Sequence, residues 1–275
     1  MPAAAGFDAV IPYTQVTIDD VASLTQDAIF SRPPSRGPRT GVFIGGRDAV
    51  LALDMLEAAK SAMFPPFLIS LFADPSGAFT TAAAMIACVE RRLRVLGAAL
   101  GGSKVAVFGA KGVVGGIVGV IAAEAGAEVT LVAHDQSGVV PAKAADFSRR
   151  FVRNFSVADG STEAGRHAIL AEIDVAIAAG RAGLQILSRG DLAAARRLKV
   201  AADMNAVPPA GIEGVEVGAD GASIAGTPGV GIGALAIGGV KFQVQHAMLR
   251  CIREAAKAET LDFRNAYRTA LEIVG

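Results

Sequence analysis

The residues best suited to chemistry in this chain lie between Val105 and Gly115. There Val105-Ala-Val-Phe-Gly109-Ala110-Lys-Gly112-Val113-Val-Gly115 joins an apolar run to a helix-like stretch. Glycines in such a turn let the backbone reverse sharply, bring its N–H groups up to a pyrophosphate, and pack the helix close to the strand. The spacing departs from the usual dinucleotide fingerprint. If Gly112 and Gly115 are its second and third glycines, Ala110 takes the first position and Gly109 lies one residue earlier. About 20 residues beyond Gly115, where a ribose-binding acid is expected, Val129-Thr-Leu-Val-Ala ends in His134-Asp135. An acid there can bind the adenosine ribose 2′-hydroxyl and a cation can accept a 2′-phosphate, so the pair points to NAD use with tolerance of NADP. The alternative is a glycine-rich turn that binds nothing.

Two more turns follow apolar runs of strand type. Ala178-Ala179-Gly180-Arg-Ala-Gly183 and Ala202-Asp-Met-Asn205-Ala-Val-Pro208-Pro209 are expected to face the same crevice as Gly112, because ligands in open α/β sheets lie outside the carboxyl ends of strands. Asn205 either hydrogen-bonds a nicotinamide or ribose, or closes an Asx-type turn before the double proline. Earlier, Asp74-Pro-Ser-Gly77-Ala-Phe-Thr80-Thr81 joins a strand to a helix. Thr80 or Thr81 is the expected N-cap; the same carboxylate and hydroxyls also suit a heterocycle rich in amide and amino donors. Lys241 follows a glycine-rich run and is, on residue type alone, a lone lysine. His134, His167 and His246 show no metal-ligand spacing, and nothing resembles a Ser/His/Asp arrangement, so no metal site is expected.

The elements that must position these residues alternate. Gly41-Val-Phe-Ile-Gly-Gly reads as a buried strand, Asp48 to Ala62 as a helix stopped by Pro65-Pro66, Phe67 to Phe72 as a strand, and Thr80 to Leu100 as a long helix. Lys104 to Phe108, Glu128 to Ala133, Asp174 to Ala178 and Leu198 to Ala202 read as strands, with Val114 to Ala125 a helix. Phe242 to Leu261 returns to helical periodicity. This is an α/β chain with a parallel sheet in each of two lobes. A smaller substrate domain spans 1–100, a Rossmann-like dinucleotide-binding domain spans 101–240, and 241–275 returns to the first, with the ligand cleft between. Ser31-Arg-Pro-Pro-Ser-Arg-Gly-Pro is the one segment expected to be flexible.

Composition supports this and excludes other classes. The 275 residues carry 26 basic and 26 acidic side chains, so nucleic acid is not the expected partner. Mean hydropathy is +0.45, yet the 20-residue uncharged run Gly221–Val240 holds seven Gly and one Pro and reads as loop plus short buried segments, not a membrane span. The opening Met1-Pro-Ala-Ala-Ala-Gly lacks a basic n-region and a long apolar core, so a soluble cytoplasmic protein is expected. Cys88 and Cys251 read as small buried hydrophobes in helices.

Ile11-Pro-Tyr-Thr, Val42-Phe-Ile-Gly-Gly, Phe72-Ala-Asp-Pro-Ser-Gly-Ala-Phe-Thr-Thr, Asp203-Met-Asn-Ala-Val-Pro-Pro-Ala-Gly-Ile and Gly231-Ile-Gly-Ala-Leu-Ala-Ile-Gly-Gly-Val-Lys241 resemble the bacterial methylene-tetrahydromethanopterin dehydrogenases. The resemblance runs through nearly the whole chain and is closer to the branch accepting NAD or NADP. The strictly NADP-dependent branch has an Arg-Lys pair where this chain has His134-Asp135. What it implies is hydride transfer from the methylene bridge of a reduced pterin to the nicotinamide during formaldehyde oxidation, leaving a methenyl cation delocalised over two nitrogens. The resemblance brings Lys241 near the reacting carbons, where it hydrogen-bonds the pterin, and it implies a homo-oligomer such as a trimer. The small-residue helices Thr80–Leu96 and Val114–Ala125 would then supply close-packed faces within or between subunits. Relatives begin with an additional strand and loop before the equivalent of Gly6-Phe-Asp-Ala-Val, so the chain is expected either to start late or to have a first lobe one strand short. Two rival functions stand beside this one: the same oxidation on methylene-tetrahydrofolate, and a dinucleotide-binding protein without catalysis.

Overall fold

The computed structural model describes residues 5–275; the opening stretch weighed as a leader lies largely outside them. In chain order the elements are α1 Val21–Phe30, β1 Gly41–Ile44, α2 Ala49–Ser61, β2 Ser70–Ala73, α3 Ala78–Val95, β3 Lys104–Phe108, α4 Val113–Glu124, β4 Glu128–Ala133 and α5 Val139–Phe151. There follow β5 Phe155–Asp159, α6 Glu163–Leu170, β6 Val175–Ala178, α7 Arg189–Leu192, β7 Val200–Asp203, β8 Asp220–Ser223, β9 Val230–Ile232, α8 Ala234–Glu254, β10 Thr260–Leu261 and α9 Phe263–Val274. Two compact units result: Met1–Thr80 with Phe242–Thr269, and Thr81–Lys241 with Ala270–Gly275. The divisions fall inside α3, α8 and α9, whereas the sequence placed the first of them near residue 101.

The first unit holds a parallel sheet of order β1-β2-β10, with Gly41 opposite Ser70 and Leu71 opposite Thr260. Central β2 is fully buried, while β1 pairs on one side only and leaves Phe43 40% exposed, which corrects the expectation of a buried first strand. Asp48 caps α2 by accepting from the Val50 and Leu51 N–H groups at 2.9 and 3.0 Å. The Ser31–Pro38 segment is not loose. It carries a 3₁₀ helix at Pro34–Arg39, and the Ser70 hydroxyl donates to the Pro38 carbonyl at 2.5 Å. Residues 67–69 precede β2 and are not part of it.

The second unit is a seven-stranded sheet of order β5-β4-β3-β6-β7-β9-β8, parallel except where β8 runs against β9. Its first six strands follow the Rossmann order, in which the chain reverses direction between β3 and β6. The central strands β3, β6 and β7 are short, mainly apolar runs because both faces are covered, whereas the edge strands β5 and β8 are largely exposed. Ala106, Phe108, Ala176, Ala178 and Ala201 pack with Leu170, Leu187 and Leu192 on one face. The alternate residues Val105, Val107 and Leu131 are buried as well.

Several element limits differ from expectation. The helix expected from Thr80 starts at Ala78 and stops at Val95. The helix expected over Phe242–Leu261 begins at Ala234 and ends at Glu254, so the last part of the run read as loop is helical and Lys241 lies within α8; Thr260–Leu261 is strand. Cys88 is buried, and that burial pushes its thiol up to about 11, but Cys251 is exposed. The small-residue faces of α3 and α4 are buried within the chain, Ala82–Val89 and Gly115–Ala123 throughout. Among the described residues, no helix is long and apolar enough to cross a membrane.

Candidate functional site

At the β3/β6 reversal point the glycine-rich turn is tight and packed backbone to backbone. Gly109 has φ +87, and a Cβ there would stand 2.5 Å from the Ala179 carbonyl carbon, so turn and neighbouring loop meet backbone to backbone. The Gly112 N–H donates to the Gly109 carbonyl at 3.0 Å, and Gly112 is the N-cap of α4, whose first turn begins at Val113. At Gly115 a Cβ would lie 2.5 Å from the Gly109 oxygen, which is why the helix can start so close to the strand. Gly109, not Ala110, thus performs the first-glycine task, one residue earlier than the usual spacing. Ala110 is buried beneath the turn.

The loops after the neighbouring strands lie beside this turn. The Ala179 N–H donates to the Phe108 carbonyl at 2.8 Å, continuing the β3–β6 ladder into Gly180. At the end of β4, Asp135 accepts at Oδ1 from the Ser137 N–H at 3.0 Å and from the Ser137 hydroxyl, and Oδ2 lies 3.3 Å from Lys111 Nζ. Those Ser137 bonds, followed by Lys111, lower its carboxyl to about 2. His134 Nε2 is 3.6 Å from Asp135 Oδ2.

Beyond β7, Asn205 closes an Asx turn. Its Oδ1 accepts from the Val207 N–H at 3.0 Å and from the Gly183 N–H at 3.1 Å, and its amide donates to the Pro209 carbonyl at 2.7 Å. Buried Asp203 braces the same loop, accepting from the Asn205 and Ile212 N–H groups at 2.9 and 3.0 Å. Burial raises the Asp203 carboxyl above its ordinary range, and the N–H groups of Asn205, Ile212 and Gly211 offset this only in part. Asn205 therefore shapes the loops after β6 and β7.

In the first unit, buried Asp74 ends β2 and organises the start of α3. Its Oδ1 accepts from the Phe79 and Thr80 N–H groups at 2.9 and 3.1 Å; its Oδ2 accepts from the Thr80 hydroxyl at 2.8 Å and the Gln245 amide at 2.7 Å. Thr80 is consequently not the N-cap: its hydroxyl is turned onto the carboxylate that serves the first turn. Gly77 takes φ +68 in the intervening 3₁₀ turn, and Thr81, next along α3, is half-buried. Lys241 is half-buried on α8, one turn before Gln245 and on the same helical face by i,i+4 spacing.

A family model described as "Methylene-tetrahydromethanopterin dehydrogenase, N-terminal" matches residues 1–76. The chain is 48% identical over 272 residues to the NAD(P)-dependent methylenetetrahydromethanopterin dehydrogenase of Methylorubrum extorquens, covering 98% of this chain and 92% of that one. This chain belongs to the NAD(P)-dependent methylenetetrahydromethanopterin dehydrogenase family. A second protein of that organism, bifunctional protein MdtA, is 30% identical over 268 residues, 98% of this chain and 91% of its own length. Among solved structures, shikimate 5-dehydrogenase from Listeria monocytogenes aligns with TM-score 0.48 and 14% identity over 99% of this chain and 88% of its own.

Two side chains that brace these turns carry no signal in the sequence. Lys143 on α5 donates to the Ala110, Lys111 and Gly112 carbonyls at 3.2, 2.6 and 3.1 Å, clasping the glycine-rich turn from outside, and Gln245 grips Asp74 from α8. The partners are 31–33 and 171 residues apart in sequence, so no local pattern announces them. Replacing Lys143 with Met keeps the stem near Phe147 but releases the turn. Dinucleotide KM is expected to rise about tenfold and stability to fall by roughly 1 kcal/mol, the net value of a typical hydrogen-bond contribution. Steady-state kinetics with urea unfolding checks both, and an unmoved KM would assign the clasp to stability alone.

Proposed function

We propose that this chain oxidises the methylene bridge of methylene-tetrahydromethanopterin to the methenyl cation, with NAD or NADP as the hydride acceptor, as a step of one-carbon oxidation. The observation that carries the proposal is the 48% identity sustained over 98% of the chain to a relative named for that activity. The residues at the reversal point fit a dinucleotide. The Gly109–Gly115 turn and the first N–H groups of α4 form a cradle that a Cβ would fill, and a carboxylate held ionised by Ser137 and Lys111 stands at the end of β4. When bound, the nicotinamide supplies the hydride-accepting carbon.

In this assignment Gly109, Ala110, Gly112, Val113 and Gly115 seat the pyrophosphate, while His134 and Asp135 meet the adenosine ribose. Ala179, Gly180 and Asn205 shape the nicotinamide end. Asp74, Gly77, Thr80 and Thr81 form the wall that orders the pterin, and Lys241 hydrogen-bonds it. The residues have little proton transfer to perform, because hydride departure leaves a cation already shared by two nitrogens. Their task is to bind and align. We further place the enzyme in the cytoplasm as a homo-oligomer; light scattering on purified protein would test the oligomeric state, and fractionation of cells the location.

Steady-state assays with methylene-tetrahydromethanopterin and methylene-tetrahydrofolate, each with NAD and NADP, test the substrate assignment. A clear preference for the folate would replace the substrate, and dinucleotide binding without turnover of either would make the chain a non-catalytic homologue. Lys241→Ala is expected to lower kcat/KM for the pterin about 30-fold, roughly the 2 kcal/mol of a charge-assisted hydrogen bond. An unchanged rate would remove Lys241 from the site.

A further inference from the structure

The ribose end of the dinucleotide site contains a charged group that the fingerprint does not require. Lys111 occupies the glycine-rich turn itself, and its ammonium lies 3.3 Å from Asp135 Oδ2. Asp135 is fixed independently of it, because Oδ1 is held by the Ser137 N–H and hydroxyl. The backbone of Lys111 is fixed as well, because Lys143 donates to its carbonyl and to those on either side. What can move is the Lys111 side chain, 45% exposed and paired with a carboxylate that is itself 40% exposed. Such exposed pairs are held weakly.

We propose that Lys111 is the residue that lets this site accept NADP as well as NAD, staying on Asp135 when the ribose carries a 2′-hydroxyl and turning to the phosphate when it carries a 2′-phosphate. The inference rests on Asp135 meeting the adenosine ribose. An acid in that position favours NAD because it accepts the 2′-hydroxyl and repels a 2′-phosphate. A cation already within 3.3 Å of the acid offsets that repulsion without removing the acceptor that NAD uses. Lysine suits the task better than arginine, having a compact charge on a flexible stem with three rotatable donors, so one side chain can serve either of two anions. His134, 3.6 Å from the same carboxylate oxygen, is the other cationic candidate when protonated, which makes it the necessary comparison.

The test is equilibrium titration of the purified full chain with NAD+ and with NADP+, pterin absent, for wild type, K111A, K111R, H134A and D135N. The quantity read is the ratio of NADP+ to NAD+ affinity. K111A is expected to lower that ratio about tenfold, K111R to lower it less, and D135N to raise it. The NADP+ affinity of wild type is also expected to fall more steeply with KCl than that of K111A, because one phosphate contact has been lost. Equal losses for both dinucleotides in K111A, or a ratio that collapses in H134A and survives in K111A, would overturn the assignment. Wild type binding NAD+ but not NADP+ would also overturn it. If wild type binds neither dinucleotide, the cofactor site itself is wrong and this inference falls with it, whereas normal binding with no pterin turnover would refute the substrate assignment alone.

Discussion

Replacing Gly109 with alanine is expected to abolish dinucleotide binding and to lower the stability of the chain by about 2–4 kcal/mol, the range of strained positions combined with forced backbone displacement. Two independent effects add at this residue. With φ +87 the backbone is in a region where an L side chain is strained. The new methyl would also stand 2.5 Å from the Ala179 carbonyl carbon, 2.6 Å from its oxygen and 2.6 Å from the Gly180 nitrogen, all main-chain atoms that cannot swing aside. Relief requires the β3 and β6 turns to separate, which opens the crevice where the pyrophosphate is proposed to lie. A loss of about 3 kcal/mol in binding corresponds to a more than hundredfold weaker complex.

Gly238→Ala is the matched comparison. That residue lies in α8 with nothing within 4 Å of an added methyl, so the substitution is expected to stabilise the chain by about 0.5–1 kcal/mol through helix propensity and a less flexible unfolded state. Urea unfolding of both variants, with NAD titration, checks the pair. Gly109→Ala retaining wild-type affinity would show that the turn does not seat a dinucleotide.

Gly238 also shows where sequence reading stops. Gly233, Gly238 and Gly239 make the run before Lys241 look like loop, and each glycine inside a helix does cost about 1 kcal/mol relative to alanine. What outweighs that cost is out of sight locally: Ile237, Val244, Met248, Leu249 and Ile252 are all buried, and together they hold the helix from Ala234 onward. The same limit explains β1. Its four residues have strand composition, but that it lies at a sheet edge, paired with β2 alone, depends on which segment becomes its neighbour. In contrast β3 and β4 match their expected limits residue for residue. Each begins on a charged residue and continues as a mainly apolar run, interrupted only by Thr130 in β4, and in a doubly covered parallel sheet local composition and tertiary demand agree.

The candidate site divides in the same way. The positions of the glycine-rich turn and of Asp135 were legible because they are set locally: a reversal of direction after β3 and an acid just past the end of β4. Asn205 carried two readings, and the structure supplies the hydrogen bonds of the Asx turn. Asp74 was legible as a carboxylate at a strand end, but its tie to Gln245 depends on a helix 171 residues away in sequence.

That tie makes Asp74 the second position of large expected effect, and Ala and Asn should behave differently there. Asp74→Ala strands the Phe79 and Thr80 N–H groups in the interior and removes one acceptor of the Gln245 amide, while the Thr80 hydroxyl keeps the Gly77 carbonyl at 3.2 Å, and it is expected to cost about 3–5 kcal/mol, since each unsatisfied buried donor costs about 1–3. Asp74→Asn can keep its oxygen toward the two N–H groups and place its amide nitrogen where Oδ2 was. The Thr80 hydroxyl can then accept and turn its hydrogen to the Gly77 carbonyl at 3.2 Å, but Gln245 must turn its own amide over to offer an oxygen. The stability loss should therefore be smaller, about 1–2 kcal/mol. In the proposed assignment Lys241, one turn from Gln245 on α8, hydrogen-bonds the pterin, so with the Gln245 amide reversed the pterin KM is expected to rise about tenfold while dinucleotide KM holds. Adding Gln245→Glu to Asp74→Asn returns an acceptor to the pair without turning any amide, so it should recover stability without recovering pterin KM. Urea unfolding and steady-state kinetics on the three variants decide the matter. Equal destabilisation by Asn and Ala would mean that Gln245 cannot turn, and wild-type pterin KM in Asp74→Asn would confine this network to folding the start of α3.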